Sequence, residues 1–332
     1  MIGSANGRRV GITGLGVHVP DRVFTNHDLE QFVDTSDEWI VERTGIRERR
    51  FAREDEALTD VALPAARRAL AQANADPASI DLIVVATVTP DMMFPTTSAL
   101  MADSLGMPDA AAYDLLAGCT GFMYALAQAY GMLASGLATR ALVVGGDVLS
   151  KILDWTDRST LVLFGDGAGA VVLEHVDNGG GFLGFELGAD GGGGENLWLP
   201  GSGSRHFEDA DRLVKMNGRE VFKFATRVLV SSAEKVLEEC GCTVDDVDVY
   251  VPHQANRRII DHAARKLGIP EEKVVVNVDR YGNTSSGSIP LALADAAADG
   301  RLREGELVLM TGMGAGLTWG SALLEWTKEK AA

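Results

Sequence analysis

An α/β fold built from a duplicated βαβαβ unit is what this sequence predicts, on three observations. Ile80 to Val88 is an apolar, β-branched run suited to a strand buried on both faces of a mainly parallel sheet. The order of elements then repeats: helix, strand, glycine-bearing turn, Ala-rich helix and glycine-ended strand occur once in each half. Asp81 to Gly121 spans 40 positions and Asp248 to Gly287 spans 39. Finally, 332 residues that are 46% hydrophobic and include 38 glycines supply a large core and many tight turns. A site between the halves would receive strand ends and loops from both.

Val10 to Val19 reads as the first strand. Its Gly11, Gly14 and Gly16 imitate a dinucleotide fingerprint, but Pro20 stands where the phosphate-binding helix would begin, so none is expected. Thr35-Ser36-Asp37-Glu38-Trp39 carries capping residues before a helix through Arg43, and Thr44-Gly45-Ile46-Arg47 turns out of it. Thr59 to Asn74 has the period of an amphipathic helix, with Pro64 tolerated in its first turns. A second apolar run, ending in Tyr113-Asp114-Leu115-Leu116, precedes a small-residue helix from Phe122 to Ala134. Arg140 to Gly146 reads as a buried strand, and Thr160 to Phe164 and Gly169 to Glu174 as two more. The intervening Phe164-Gly165-Asp166-Gly167-Ala168-Gly169 runs on into a strand and offers no helix start for phosphate, so it is read as a glycine corner.

Gly179 to Gly218, with four consecutive glycines at 191 to 194, is expected to form partly mobile loops covering a site. Glu220 to Cys240 follows as a long amphipathic helix, Val247 to Val251 as a strand and Arg257 to Leu267 as a helix. The Ala-rich helix through Ala298 and the strands Glu306 to Thr311 and Leu317 to Trp326 complete the chain.

A formal charge of −17 opposes general affinity for nucleic acid or anionic membrane. Two basic clusters stand out against it, and a solvated surface is the plain account of either. One is Arg43, Arg47, Arg49, Arg50 and Arg53; the other is Arg257, Arg258, Arg265 and Lys266. Three cysteines, Cys119, Cys240 and Cys242, lack metal-type partner spacing and form no expected disulfide framework. Met1 to Arg9 has no apolar core and no run is long enough to cross a bilayer, so a cytoplasmic protein is expected.

Cys119, in Ala117-Gly118-Cys119-Thr120-Gly121, falls at a strand-to-helix turn, where unpaired N–H groups and the helix dipole favour a thiolate. His253 and Asn283 each lie in a turn just beyond an apolar run of the second half. Both can donate hydrogen bonds to a thioester oxygen, so a Cys-His-Asn set need not be hydrolytic.

Together, Gly118-Cys119, His253-Gln254-Ala255-Asn256, Asn283-Thr284-Ser285 and Gly314-Ala315-Gly316-Leu317-Thr318-Trp319-Gly320 resemble the motifs of the β-ketoacyl-acyl carrier protein synthase III family, in the thiolase superfamily. Trp39 with Thr44-Gly45-Ile46-Arg47 adds a signature of this branch, and the resemblance runs from about Val10 to Trp326. It implies a thiolase-like fold layered α-β-α-β-α with mixed five-stranded sheets, with one half over residues 8–178 and the other over 179–332.

It further implies a two-stage Claisen condensation. Cys119 takes an acyl group from coenzyme A; malonyl-acyl carrier protein then loses CO₂ and its carbanion attacks the acyl-cysteine. No cofactor is needed, coenzyme A thioester being a substrate, and no metal. The catalytic residues would be Cys119, His253 and Asn283, with the backbone N–H groups of Cys119 and Ala315 as oxyanion donors. The family usually has glycine where Ala315 stands. Thr35, Trp39, Arg43, Arg158 and Asn256 would bind coenzyme A, with adenine between Trp39 and Arg158. Arg219 stands where the family often has an asparagine contact. Phe94, Leu149 and Phe164 would line a short acyl pocket, Phe94 from the partner of a two-fold homodimer. Lys223, Arg258, Arg265 and Lys266 would dock the acidic carrier protein. A priming enzyme of specialised metabolism would use the same residues. A thiolase would need a second cysteine late in the chain, absent between Gly312 and Gly320, and a silent partner subunit would lack Cys119 or His253.

Overall fold

The computed structural model describes residues 9–177, 179–201, 203–206 and 212–327. The first half opens with β1 (Arg9–His18) and a small hairpin, β2 (Val23–Thr25) and β3 (Glu48–Arg50). Between the hairpin strands lie α1 (Asn26–Leu29) and α2 (Asp37–Thr44). Ser36 Oγ caps α2 by accepting from Trp39 N at 3.2 Å, and Gly45 stops it at φ +76°. Then come α3 (Leu58–Gln72), β4 (Leu82–Ala86), α4 (Thr97–Leu105), β5 (Ala111–Leu115), α5 (Gly121–Ala134) and β6 (Arg140–Asp147). A single helical turn, α6 (Arg158–Leu161), leads to β7 (Gly167–Val176).

The second half begins with β8 (Gly181–Ala189) and the short β9 (Leu197–Trp198) and β10 (Lys215–Met216). It continues through α7 (Gly218–Cys240), β11 (Val249–Pro252), α8 (Arg257–Leu267), α9 (Val278–Tyr281), α10 (Ser288–Ala298), β12 (Leu307–Gly314) and β13 (Thr318–Glu325).

Two mixed sheets organise these elements. The first runs β1-β7-β6-β4-β5, and β4 pairs in parallel on both sides, which is why every residue of Leu82–Ala86 is fully buried. The second runs β11-β12-β13-β8, and its fifth position is a lone parallel bridge between Tyr250 and Val274. Helices α5 and α10 touch strands of both sheets and form the middle layer; α3 and α4 cover the first sheet and α7 and α8 the second. The layers are therefore α-β-α-β-α. Phe122, Leu126, Ile289 and Leu293 from the middle helices join Val84, Val143, Val251 and Met310 from the two sheets in one core. Among the described residues no helix is long and apolar enough to cross a membrane.

Two expectations fail. Thr160 to Phe164 is not a strand: Asp157 caps α6 by accepting from Ser159 N at 2.8 Å, and only Phe164 makes a bridge, to Asn283. Nor is Gly179 to Gly218 all loop, since Gly181–Ala189 is a full edge strand on β13. Residues 202 and 207–211 of that stretch lie outside the described residues.

Candidate active site

Cys119 sits in a 3₁₀ turn, Gly118–Thr120, that runs directly into α5. Gly118 has φ +56°, and a Cβ there would lie 2.8 Å from both the backbone N and O of Ala315, so only glycine lets the two loops meet. His253 follows β11, held by its N–H to Thr311 O at 2.7 Å. Asn283 is fixed by its backbone, donating from N to Leu163 O at 2.8 Å and accepting at O from Gly165 N at 2.9 Å. The three side chains line one cavity of about 360 Å³.

Burial dominates the electrostatics. Cys119 is 8% exposed, and desolvation pushes its thiol up to about 11, helped by the Asp147 carboxylate. The N–H groups of Cys119 and Ala315 oppose that shift without cancelling it. The expected thiolate is therefore a neutral thiol at pH 7; the helix terminus is outweighed by burial. Desolvation likewise lowers His253 to about 3, so the imidazole is neutral.

The His253 tautomer follows from its partner. Ser288 Oγ accepts from Gln254 N at 3.4 Å, and among the described residues His253 Nδ1 is the one acceptor within reach of its proton, so the hydroxyl is assigned as donor to Nδ1 and the ring proton to Nε2. Among the described residues Nε2 is buried with no partner. Asn283 Oδ1 accepts from Ser285 N at 2.9 Å, which leaves the amide nitrogen as its free polar atom. Ser285 adopts φ +50° at this turn. A neutral thiol thus shares a largely apolar cavity with two neutral N–H donors, an arrangement suited to stabilising oxygen anions.

Trp39, Arg43, Arg158 and Asn256 line the same cavity toward its mouth. The guanidinium carbons of Arg43 and Arg158 each lie 4.5 Å from the Trp39 ring. Asn256 donates to Arg43 O at 3.1 Å and caps α8 through Arg258 N. Thr35 is not on the cavity wall, although its buried hydroxyl has no partner. Arg219 is exposed. Phe164 lines the cavity, whereas Leu149 is buried with it in the core without reaching the wall. Phe94 is 83% exposed and does not reach this chain's own cavity. Lys223, Arg258, Arg265 and Lys266 are exposed; Arg258 also borders the cavity, and Lys223 pairs with Glu220 at 2.7 Å.

Sequence reasoning missed Ser288, which sets the imidazole, and Asp147, whose buried carboxylate accepts from Thr87 Oγ1 at 2.9 Å, Val88 N at 2.7 Å and Ser286 Oγ at 2.8 Å behind the cysteine. Ser288 opens α10 and Asp147 ends β6, one residue beyond the strand read from the sequence. Arg49 is no surface cation but fully buried.

Residues 113–191 match the family profile described as 3-oxoacyl-[acyl-carrier-protein] synthase III, and 237–326 match its C-terminal counterpart. The β-ketoacyl-[acyl-carrier-protein] synthase III of Symbiobacterium thermophilum is 55% identical over 96% of this chain and 98% of its own. The solved β-ketoacyl-[acyl carrier protein] synthase III of Thermus thermophilus is 52% identical, covers 95% of this chain and 99% of its own, and superposes with a TM-score of 0.91. The priming β-ketosynthase of the R1128 polyketide pathway also superposes at 0.91, with 40% identity over 96% of this chain and 97% of its own. At this identity over nearly the whole length, with both profiles matched, the chain belongs to the β-ketoacyl-[acyl-carrier-protein] synthase III family.

Proposed function

We propose that this protein starts type II fatty-acid synthesis by condensing a short acyl-coenzyme A, with acetyl-coenzyme A as the reference primer, with malonyl-acyl carrier protein. The products are 3-oxoacyl-acyl carrier protein, coenzyme A and CO₂. The observation that supports this reading is one cavity lined by Cys119, by His253 with its Nε2 unpartnered among the described residues, and by Asn283 with its amide nitrogen free.

In the first stage Cys119 Sγ attacks the thioester carbon, the bond to the coenzyme A sulfur breaks, and the thiol proton leaves with coenzyme A. The N–H groups of Cys119 and Ala315, which already act on the sulfur, hold the tetrahedral oxyanion. In the second stage the malonyl C–C bond to the carboxylate breaks and CO₂ departs. The electron pair passes into an enolate whose oxygen is held by His253 Nε2–H and the Asn283 amide. The enolate carbon then attacks the acyl carbon, the acyl bond to Cys119 Sγ breaks, and the sulfur takes a proton from solvent to restore the thiol. Each donor is worth about 3 kcal/mol of barrier. No cofactor enters these steps.

Arg158, which lies 4.5 Å from the Trp39 ring, swings away to receive adenine between the two, Arg43 and Thr35 attend the nucleotide end, and Asn256 meets the pantetheine arm. A homodimer is supported by β5, whose outer edge is unpaired, beside exposed Met93, Phe94 and Leu116 at 72%, 83% and 78%. In such a dimer Phe94 completes the partner's acyl pocket with Phe164 and Leu149 and limits it to short primers. Lys223, Arg258, Arg265 and Lys266 present positive charge to an acidic carrier protein on an otherwise negative surface. Identity of 55% and 52% to the synthases III of Symbiobacterium thermophilum and Thermus thermophilus, against 40% to the polyketide priming enzyme, favours the primary pathway. A cytoplasmic setting keeps Cys119 reduced.

The test is peptide mapping after incubation with acetyl-coenzyme A. One acetyl group is expected on the Cys119 peptide, and it should leave as acetoacetyl-acyl carrier protein when malonyl-acyl carrier protein is added. An acetyl group that forms but leaves only by hydrolysis excludes condensation.

A further inference from the structure

One buried charge has no role in the reaction described above. Arg49, on β3, is 0% exposed, and among the described residues no carboxylate pairs with it. Its Nη1 donates to Asn26 Oδ1 at 2.8 Å and Phe24 O at 3.3 Å, its Nη2 donates to Val162 O at 2.8 Å, and Nε has no partner. Burial lowers its pKa to about 10. Its nearest anion by bonding is one amide away, since Asn26 Nδ2 donates to Asp37 Oδ1 at 2.8 Å. Keeping a guanidinium in the core on neutral acceptors is costly, so the position must be serving something besides stability.

The acceptor Val162 begins the segment on which Asn283 hangs. Asn283 N donates to Leu163 O, Gly165 N donates to Asn283 O, and Asp166 N donates to Arg50 O at 2.8 Å. Strand β3 therefore grips this segment at both ends, through the Arg49 side chain at Val162 and the Arg50 carbonyl at Asp166, with Asn283 bonded between. The contact is close: a Cβ on Gly165 would lie 3.1 Å from the Arg49 Cβ, and one on Gly282 would lie 3.3 Å from it.

We propose that Arg49 is the positioning residue for the Asn283 amide, acting on the condensation stage and not on acylation of Cys119. The inference rests on the role given to Asn283 above. The enolate forms only after malonyl decarboxylation, so a displaced Asn283 amide is felt there, while the acylation oxyanion is held by Cys119 and Ala315. A misplacement of about 1 Å in such a donor costs on the order of 100-fold in rate.

The experiment separates the two stages in single turnovers: acetylation of Cys119 by acetyl-coenzyme A, then discharge of the acetyl-enzyme by malonyl-acyl carrier protein. Wild type, Arg49→Lys, Arg49→Met, Asn283→Ala and the two double variants are compared. The expected result is a discharge rate about 10- to 100-fold lower in Arg49→Met, an intermediate loss in Arg49→Lys, and the same KM for the malonyl carrier. Acetylation should keep close to its wild-type rate. In the Asn283→Ala background either Arg49 substitution should cost nothing more. Arg49 losses that multiply with the Asn283→Ala loss, or acetylation and discharge falling together, overturn the proposal while leaving the role of Asn283 intact. Wild-type discharge by Asn283→Ala instead sinks the reading of that amide and this proposal with it. Should Arg49→Met not fold, Arg49→Lys completes the same cycle.

Discussion

His253 takes its orientation from Ser288: among the described residues Nδ1 is the one acceptor within reach of the Ser288 hydroxyl proton, so the one ring proton lies on Nε2, at the cavity. Removing that hydroxyl leaves Nδ1 buried without a donor and lets the ring carry its proton on the wrong nitrogen. Ser288→Ala should slow discharge of acetyl-enzyme by about 10-fold, the worth of one positioning hydrogen bond. Ser288→Thr, which keeps the hydroxyl, should recover part of the loss. Stopped-flow discharge assays on the two variants give the comparison.

The Cys119 thiol is held up at about 11 by burial, so at neutral pH it rests in its protonated form. Because only the thiolate alkylates, inactivation by iodoacetamide should rise about tenfold for each pH unit from about pH 7 to pH 10 and level off only near the thiol pKa. A plateau already reached by pH 8 would show a thiolate stabilised by the helix terminus.

Asp166 contributes a pH-dependent stability whose sign can be worked out. Desolvation raises its carboxyl to about 6, against acceptance of hydrogen bonds from Ala52 N and Ser150 N. Between the unfolded value near 4 and the folded value near 6, the native state binds more protons, so this group's contribution falls as pH rises through that window. Asp166→Asn imitates the protonated acid. Its stability relative to wild type should therefore improve from pH 4 to pH 6 and stay level above, measured by urea unfolding at each pH.

The exposed cations of α8 permit a test of carrier docking clear of the cavity wall, which Arg258 borders and Arg265 and Lys266 do not. Arg265→Glu with Lys266→Glu should raise KM for malonyl-acyl carrier protein several-fold at low salt and less at high salt, with acetylation from coenzyme A unaltered. Equal changes with both substrates would place the effect on the fold.

Much of this architecture was legible in the sequence because it is written in local patterns. The Leu82–Ala86 run, the Ser36 and Gly45 caps and the exact span of Arg257–Leu267 are consequences of periodicity and capping. Strand β8 was hidden by its glycines. Gly188 reads as a loop residue, but a Cβ there would lie 2.2 Å from the Trp319 ring on the paired strand, so glycine is a packing requirement. Arg49 was misread for the opposite reason: a buried guanidinium held by carbonyls 25 and 113 positions away leaves no local trace. The candidate site was legible through its motifs, whereas the support from Ser288 and Asp147 depends on long-range contacts that no spacing reveals.

In the proposed reaction His253 and Asn283 act on the enolate oxygen and not on the capture of the acyl group. The measurement is the discharge rate of acetylated His253→Ala and Asn283→Ala enzyme by malonyl-acyl carrier protein, after mass spectrometry has shown that each variant carries its acetyl group on Cys119. Discharge slowed by about 100- to 1000-fold is expected in each. Discharge at the wild-type rate in either would contradict it.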